Sequence, residues 1–309
     1  MSLTVVGSIA FDSVRTPFGE RERMLGGSAV HFALSARLFT DVHVVGPVGD
    51  DFSQEHIELL SERGIDVSGI ERVPGGETFV WRGHYEYDLN VAHTDETRLN
   101  VFGEFEPKLS DASRSAETLF LANIQPDLQR RVRGQCEGAR LAALDSMNLW
   151  IETARDSLVA AIGEVDCLIL NDAEVRQLTE EANLVRAAAA AMEMGPRVIV
   201  AKQGEYGSAM FTEDGFFALP GFPLEDVRDP TGAGDSFAGG FLGYLDGQGV
   251  IGPGGAGEVD HQTLRLAMAH GTVLASFNVE DFGTERIARL GRDEIDQRLR
   301  ELQAMTAFG

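Results

Sequence analysis

The stretch DPTGAGDSFAGG, from Asp229 to Gly240, sets small residues directly ahead of an acid and then runs on with small and apolar residues at helical spacing. A turn that leads into a helix leaves its first backbone N–H groups unpaired, at the positive end of the helix dipole. With Gly232, Ala233 and Gly234 at that turn, no bulky side chain holds an oxyanion away, so the stretch predicts a phosphate seat. Asp235 then needs a reason, because a carboxylate at such a seat repels a bound phosphate. It has one if it accepts a proton from a hydroxyl that attacks phosphorus. The plainer reading is a glycine-rich helix start whose first turn carries a favourable acid.

Outward from that stretch, short apolar runs alternate with helical segments. LTVVGS ends at Gly7 and Ser8, with Asp12 just beyond; TLFLANIQ, RLAALDSMN and DCLILND end in the polar residues Asn123, Asp145, Asn148 and Asn171. The alternation predicts a mainly parallel α/β sheet with helices on both faces and those polar ends along one edge, where such sheets hold ligands. LGGSAVHFALSARLF breaks at Gly26 and Gly27 and continues as a helix, with Ser28 as its expected cap. RVIVAKQGEYGSAMF is a strand, a glycine turn and a second strand. Between Arg72 and Pro107, TFVWRGHYEY and TRLNVFGEF carry aromatic and β-branched residues without a helical period, so a β-rich insertion is expected there. Within it, Trp81, Tyr85, Tyr87 and Phe102 read as internal packing or a dimer surface. Gly252, Gly254 and Gly257 show GxGxxG spacing, but they follow a helix rather than a strand and read as a loop between helices.

At 309 residues with 43% hydrophobic content, the chain suits one large α/β domain with an appendage. No apolar run reaches the roughly 18 residues of a membrane helix, and MSLTVVGSIAFD lacks the basic segment of a signal peptide; a cytoplasmic protein is expected. Cys136 and Cys167 have no metal-ligand spacing and are expected to be buried free thiols. Acids outnumber bases 49 to 26, a net charge of −23, which disfavours nucleic acid and anionic membranes as partners. Lys108 and Lys202 are the only lysines. Abundant acid with scarce lysine suits a high-salt interior, where screening softens self-repulsion; a codon bias toward arginine would leave the same mark.

Taken in order from Asp12 to Gly283, these landmarks resemble the PfkB, or ribokinase-like, family of carbohydrate and nucleoside kinases. The resemblance implies one ribokinase-like domain over 1–309 with a β-rich lid at 72–107, to which part of 11–25 contributes, closing over the substrate and making a homodimer contact. It makes Asp235 the catalytic base and Gly232, Ala233 and Gly234 the anion hole. Asp12 would hold substrate hydroxyls, Gly26 and Gly27 would let the substrate lie against the backbone, and Asn123 would fall on the substrate side. His31 stands where most relatives carry Asn, and either contacts the substrate or is structural. Asn171 and Glu174 match N-x-x-E, which alone is a capping pattern; in the family the asparagine lies near the phosphates and the glutamate places Mg²⁺ through water. Lys202, Gly204 and Gly207 resemble the nucleotide-binding turn, with Thr231, Asn278 and the backbone from Val279 to Gly283 also on the nucleotide side. In several relatives, carbonyls near Asp229 and Thr231 hold a monovalent cation such as K⁺.

No Walker GxxxxGK[ST] motif and no protein-kinase HRD or DFG set is present, which leaves the other common phosphoryl-transfer templates without support. The sequence is therefore read as an ATP- and Mg²⁺-dependent kinase acting on a hydroxyl of a small sugar or sugar acid. A nucleoside kinase is the nearest alternative. A non-catalytic sugar or nucleotide sensor is the rival from another class, and the intact Asp235 speaks against it. Arg82 and Arg98 would serve a phosphorylated substrate, or else belong to solvated faces.

Overall fold

The computed structural model describes residues 1–252 and 254–307. Its strands are β1 (Ser2–Val6), β2 (Ala10–Thr16), β3 (Gly19–Gly26), β4 (Asp41–Val48), β5 (Ile65–Arg72), β6 (Phe79–His84), β7 (His93–Arg98), β8 (Thr118–Leu121), β9 (Leu141–Leu144), β10 (Cys167–Asn171), β11 (Val198–Lys202), β12 (Ser208–Thr212) and β13 (Gly215–Leu219). The large sheet has the order β13-β12-β11-β10-β9-β8-β1-β4-β5. It is parallel from β5 to β11 and closes with an antiparallel hairpin of β12 and β13. Successive side chains of these apolar strands point to opposite faces, so both faces need cover. Leu3, Val5 and Phe120 enter one core, and Val6, Leu119 and Leu121 enter the other.

Strand order reverses at β1. From β1 the chain builds toward β4 and β5 on one side and, later, from β8 toward β11 on the other. A crevice forms at such a switch point, beyond the carboxyl ends of the strands. That edge carries Ser8, Asn123, Asp145, Asn171 and Lys202, so the polar strand ends do share one side of the sheet.

The helix Ser28–Ala36 is buried along its whole length rather than on one stripe, because a second helix, Ala233–Gln248, covers its outer side. Its N-cap is Gly27 and not Ser28. Ser28 instead pairs with the end of β1, its N–H donating to Ser8 Oγ at 3.0 Å and its Oγ accepting from Ser8 N at 3.2 Å. The Ala233–Gln248 helix is in turn wedged between Ser28–Ala36 and His261–Asn278. A methyl group on Gly239 would lie 2.4 Å from Phe32 O, and one on Gly240 2.9 Å from His270 O. The small residues after Asp235 therefore serve helix contact as well as helix start.

A second, smaller sheet has the order β3-β2-β6-β7. Half of it comes from residues 10–26, a larger share than the part of 11–25 expected, and Arg72 ends β5 of the large sheet. TRLNVFGEF also departs from expectation: after β7 the chain forms a 3₁₀ turn at Asn100–Glu104. Asn100 takes φ 47° and its Nδ2 donates to Thr78 O at 2.8 Å, which turns the chain out of extended structure. The glycine-rich loop after Gln248 joins two helices and includes a 3₁₀ turn at Gly255–Glu258, Pro253 lying outside the described residues.

Gly239→Ala should lower stability by about 1–3 kcal/mol, the usual cost of overpacking a tight contact. Urea denaturation measures it; a variant as stable as the parent would mean that the two helices separate freely.

Candidate active site

The strand ends and the small sheet enclose a cleft of ≈ 1190 Å³. A site for one small molecule occupies about 300–1,000 Å³, so this cleft has room for two ligands side by side. Its floor is the turn ahead of the Ala233–Gln248 helix. Gly232 is the N-cap, in the left-handed region at φ 74°. Ala233 N donates to Pro230 O at 3.1 Å, which withdraws it from the expected anion hole, while the N–H groups of Gly234 and Asp235 have no partners within their own helix.

Several buried groups fix this turn. Asp229 accepts Thr231 N at 2.9 Å and Gly283 N at 2.9 Å, one on each carboxylate oxygen. Asn278 Nδ2 donates to Thr231 O at 2.7 Å, and Asn278 Oδ1 accepts from Ser236 Oγ at 3.0 Å. His31 Nδ1 lies 2.9 Å from the same Oδ1, so the proton of the ring is on Nδ1. Burial lowers the pKa of His31, which outweighs the help of Asn278 and Asp229 and keeps the ring neutral. The ring lies against Gly232, where a methyl group would stand 2.3 Å from it. His31 and Asn278 thus brace the turn from below; Asn278, fully buried, is not placed to touch a nucleotide. His31 Nε2 is buried and has no partner.

The charged groups converge from different elements. Asp235, in the first helical turn, keeps an edge open to the cleft. Its deep position, together with Asp145, pushes its pKa up to about 7 against the pull of Lys202. Asp12, on β2, is raised to about 7 mainly by burial, although Gly27 N donates to its Oδ2 at 3.2 Å. A methyl group on Gly26 would collide with the Asp12 carboxylate at 2.0 Å, and one on Gly27 with Ser8 O at 2.5 Å. The glycine pair therefore makes room for Asp12 and the neighbouring backbone, a need that exists before any substrate arrives.

Lys202 ends β11 and reaches back to Asp145 Oδ2 at 3.2 Å. Burial opposes its charge, but Asp145, Glu174 and Asp235 more than offset this and raise its pKa. The same ammonium lies 3.0 Å from where a Gly234 Cβ would be, directly beneath the turn. Asn171 and Glu174 form a capping box, each side chain bonded to the other's backbone N–H at 2.7 and 2.8 Å. The capping pattern is real, and both residues also line the cleft. Burial and Asp145 raise Glu174 to about 7. Among the described residues no three His, Cys, Asp or Glu side chains form a metal cage. The donor set fits Mg²⁺, an ion that keeps water and takes most of its protein-side ligands from one or two carboxylates and bound phosphates.

The opposite wall differs from its expected role. Phe79, Trp81, Tyr85, Tyr87, Phe102 and Trp150 line the cleft, so the aromatics of the small sheet are not merely internal packing. Trp150 Nε1 donates to Asn123 Oδ1 at 3.0 Å. Arg82 and Arg98 point elsewhere, pairing with Glu22 and Glu96. Gly204 (φ 57°) and Gly207 (φ 108°) shape the turn after Lys202, and Asn90 from the β6–β7 connection bonds to it, accepting Glu205 N at 3.1 Å. Sequence reasoning placed Asp145 on the ligand edge without giving it a role, and missed Tyr85 as a site member. Asp145 had a signal, its place at a strand end; Tyr85 had none, since its position depends on how the small sheet docks.

A folded-state pKa of about 7 means that folding takes up a proton at Asp235 between roughly pH 4 and pH 7, so this carboxylate costs more stability as pH rises. Asp235→Asn should be more stable than the parent by about 1–2 kcal/mol at pH 8, the cleft-facing edge keeping the gain modest, and the gap should close toward pH 5. Urea denaturation at both values tests the sign; an equal gap at both would show that the carboxylate is not destabilised by its surroundings.

Comparisons with known proteins bear on the family and the fold. The family model for pfkB family carbohydrate kinases matches residues 3–288. A cytidine kinase from Thermococcus kodakarensis is 29% identical over 255 residues, covering 80% of this chain and 90% of that protein. A nucleoside kinase from Methanothermobacter thermautotrophicus is 28% identical over 301 residues, covering 92% and 91%. The structure of Burkholderia thailandensis nucleoside kinase in complex with inosine superposes with a TM-score of 0.79 at 18% identity, over 97% of each chain. Kinases of this family use ATP and Mg²⁺. With a ribokinase-like fold and a family match over nearly its whole length, the chain belongs to the pfkB family of carbohydrate kinases and is a phosphotransferase with a hydroxyl acceptor.

Proposed function

We propose that the acceptor is an uncharged nucleoside, phosphorylated on a sugar hydroxyl. The observation that carries this is the lining of the cleft. Asp12, Asp145, Asp235, Glu174, Glu152 and Glu205 line it, and among the described residues Lys202, already paired with Asp145, is its one Lys or Arg. A sugar acid or sugar phosphate would bring an anion to this wall with no arginine to receive it. The aromatic wall supplies the flat apolar surface that a nucleobase uses, which the region around Gly27 alone does not. The names of the cytidine and nucleoside kinases among its relatives point the same way. An unmodified sugar is the second reading, favoured by the Asp12 carboxylate beside the Gly26–Gly27 backbone.

In this reading Asp12 accepts hydrogen bonds from ribose hydroxyls and orients the sugar. Asp235 takes the proton of the attacking hydroxyl, and the amides of Gly234 and Asp235 hold the charge that moves with the phosphoryl group. Oxyanion donors of this kind are worth roughly 3 kcal/mol each. Lys202 adds a fixed positive charge under the turn. Glu174, with Asn171, would hold Mg²⁺ through water, and the metal would screen the phosphate charge. The small sheet acts as the lid that excludes water from the transfer.

ADP release measured with cytidine, uridine, inosine, adenosine, ribose, fructose, ketodeoxygluconate and ribose 5-phosphate tests the substrate class. A nucleoside should give the highest kcat/KM; a winning sugar acid or sugar phosphate would overturn the reading. On the best acceptor, Asp235→Asn should cost about 10²–10⁴ in kcat with nucleotide binding retained, and a variant above a third of parental rate would remove Asp235 as base. For the parent enzyme, kcat/KM should fall as pH drops through about 7, where Asp235 takes up its proton; a flat profile from pH 8 to 5 would contradict this.

A further inference from the structure

We propose that Tyr85 is a positioning residue for the phosphate-side turn, through which the small sheet fixes the geometry of the Gly232–Asp235 segment. Thr231, the residue just ahead of that segment, is gripped on three groups. Its N–H is held by Asp229, two residues earlier in the same turn, and its carbonyl by Asn278, at the end of the His261–Asn278 helix. Its hydroxyl is held by Tyr85, from the small sheet, at 3.3 Å between oxygens. Tyr85 follows β6 directly, and its N–H donates to Arg15 O at 2.9 Å, continuing the β2–β6 side of the small sheet. The ring is only 9% exposed, so the phenol has a set direction, and burial raises its pKa and keeps it protonated.

The segment that carries Tyr85 is tied to the body a second time. Asn90 Oδ1 accepts Glu205 N and its Nδ2 donates to Glu205 Oε1, both at 3.1 Å. These two ties bring the 85–90 segment onto the two phosphate-side turns, the one at Thr231 and the one at Gly204–Gly207. A separation of 3.3 Å is long for a hydroxyl pair, and a slight inward movement of the small sheet shortens it. The turn is then correctly shaped when the sheet is seated over the acceptor. This links occupation of the acceptor side to readiness of the transfer side.

The inference rests on the reading of Gly232–Asp235 as the transfer site, and two readouts keep the two apart. With cytidine and MgATP, Tyr85→Phe and Thr231→Val should each lower kcat about 5–20-fold with KM for cytidine changed less than two-fold. The double variant should be no slower than the slower single one, and Thr231→Ser should restore the parental rate. A Tyr85→Phe enzyme within two-fold of the parent, losses that multiply, or a loss confined to KM would overturn the proposal. The second readout needs no acceptor: hydrogen exchange of the amides from Thr231 to Ser236 with MgADP bound. Exchange should be at least three-fold faster in Tyr85→Phe than in the parent, and equal exchange overturns the tie whatever the substrate. A fully active Asp235→Asn would instead overturn the transfer-site reading and leave the exchange result to judge Tyr85.

Discussion

One buried ammonium holds the charged half of this cleft together. Lys202 Nζ is paired with Asp145 and lies within the field of Glu174 and Asp235, three carboxylates brought in by three different elements. Removed from water, such carboxylates repel one another and resist ionisation, as the raised pKa values of Asp235 and Glu174 record. A lone cation at the centre lets part of that charge persist where a polyanionic phosphate must also fit. Its cost in desolvation is offset by several partners rather than one, which is the condition under which a buried ion pair is tolerated. In a chain with net charge −23 and two lysines, the place of Lys202 is a strong constraint on everything around it.

The rest of the architecture brings backbone to that point. Reversal of strand order at β1 opens the crevice, and the strand ends deliver Asn123, Asp145, Asn171 and Lys202 to one rim. The Ala233–Gln248 helix aims its N-terminus into the crevice because it is clamped between two other helices through its glycines. Its first turn is braced by a fully buried polar network of His31, Asn278, Ser236 and Asp229. Every group in that network is satisfied within the protein except His31 Nε2, so the inner side of the turn is held by the protein itself, and the Thr231–Tyr85 contact is the part the small sheet supplies. Such preorganisation is what electrostatic stabilisation of a moving charge requires.

The small sheet supplies the opposite character. Its aromatic side chains face a wall of carboxylates, and two of its arginines, Arg82 and Arg98, pair with glutamates of the same sheet instead of entering the cleft. An uncharged ligand with one hydroxylated end and one flat end matches both walls at once. The strands of this sheet come from two separated parts of the chain, 10–26 and 79–98, so Asp12 on β2 belongs to the same unit as the aromatic wall.

Periodicity and turn chemistry already determined much of this in the sequence. The apolar runs and their polar ends specified a parallel sheet with a functional edge, because buried parallel strands need continuous apolar residues and ligands collect where they end. The spacing from Gly232 to Asp235 specified a helix N-terminus with an acid in its first turn, and Asp12 stood out just past the first strand, whereas Glu174 was singled out only by the family resemblance. What only the tertiary structure decided depends on contacts between residues far apart in the chain. His31 and Asn278, separated by 247 positions, meet under Gly232, and Lys202 finds Asp145 across 57. Tyr85 reaches Thr231 across 146 positions. Local sequence cannot state such meetings, since they follow from the docking of whole elements; their energies come from burial and from pairing buried polar groups, which exist only once the chain has closed on itself.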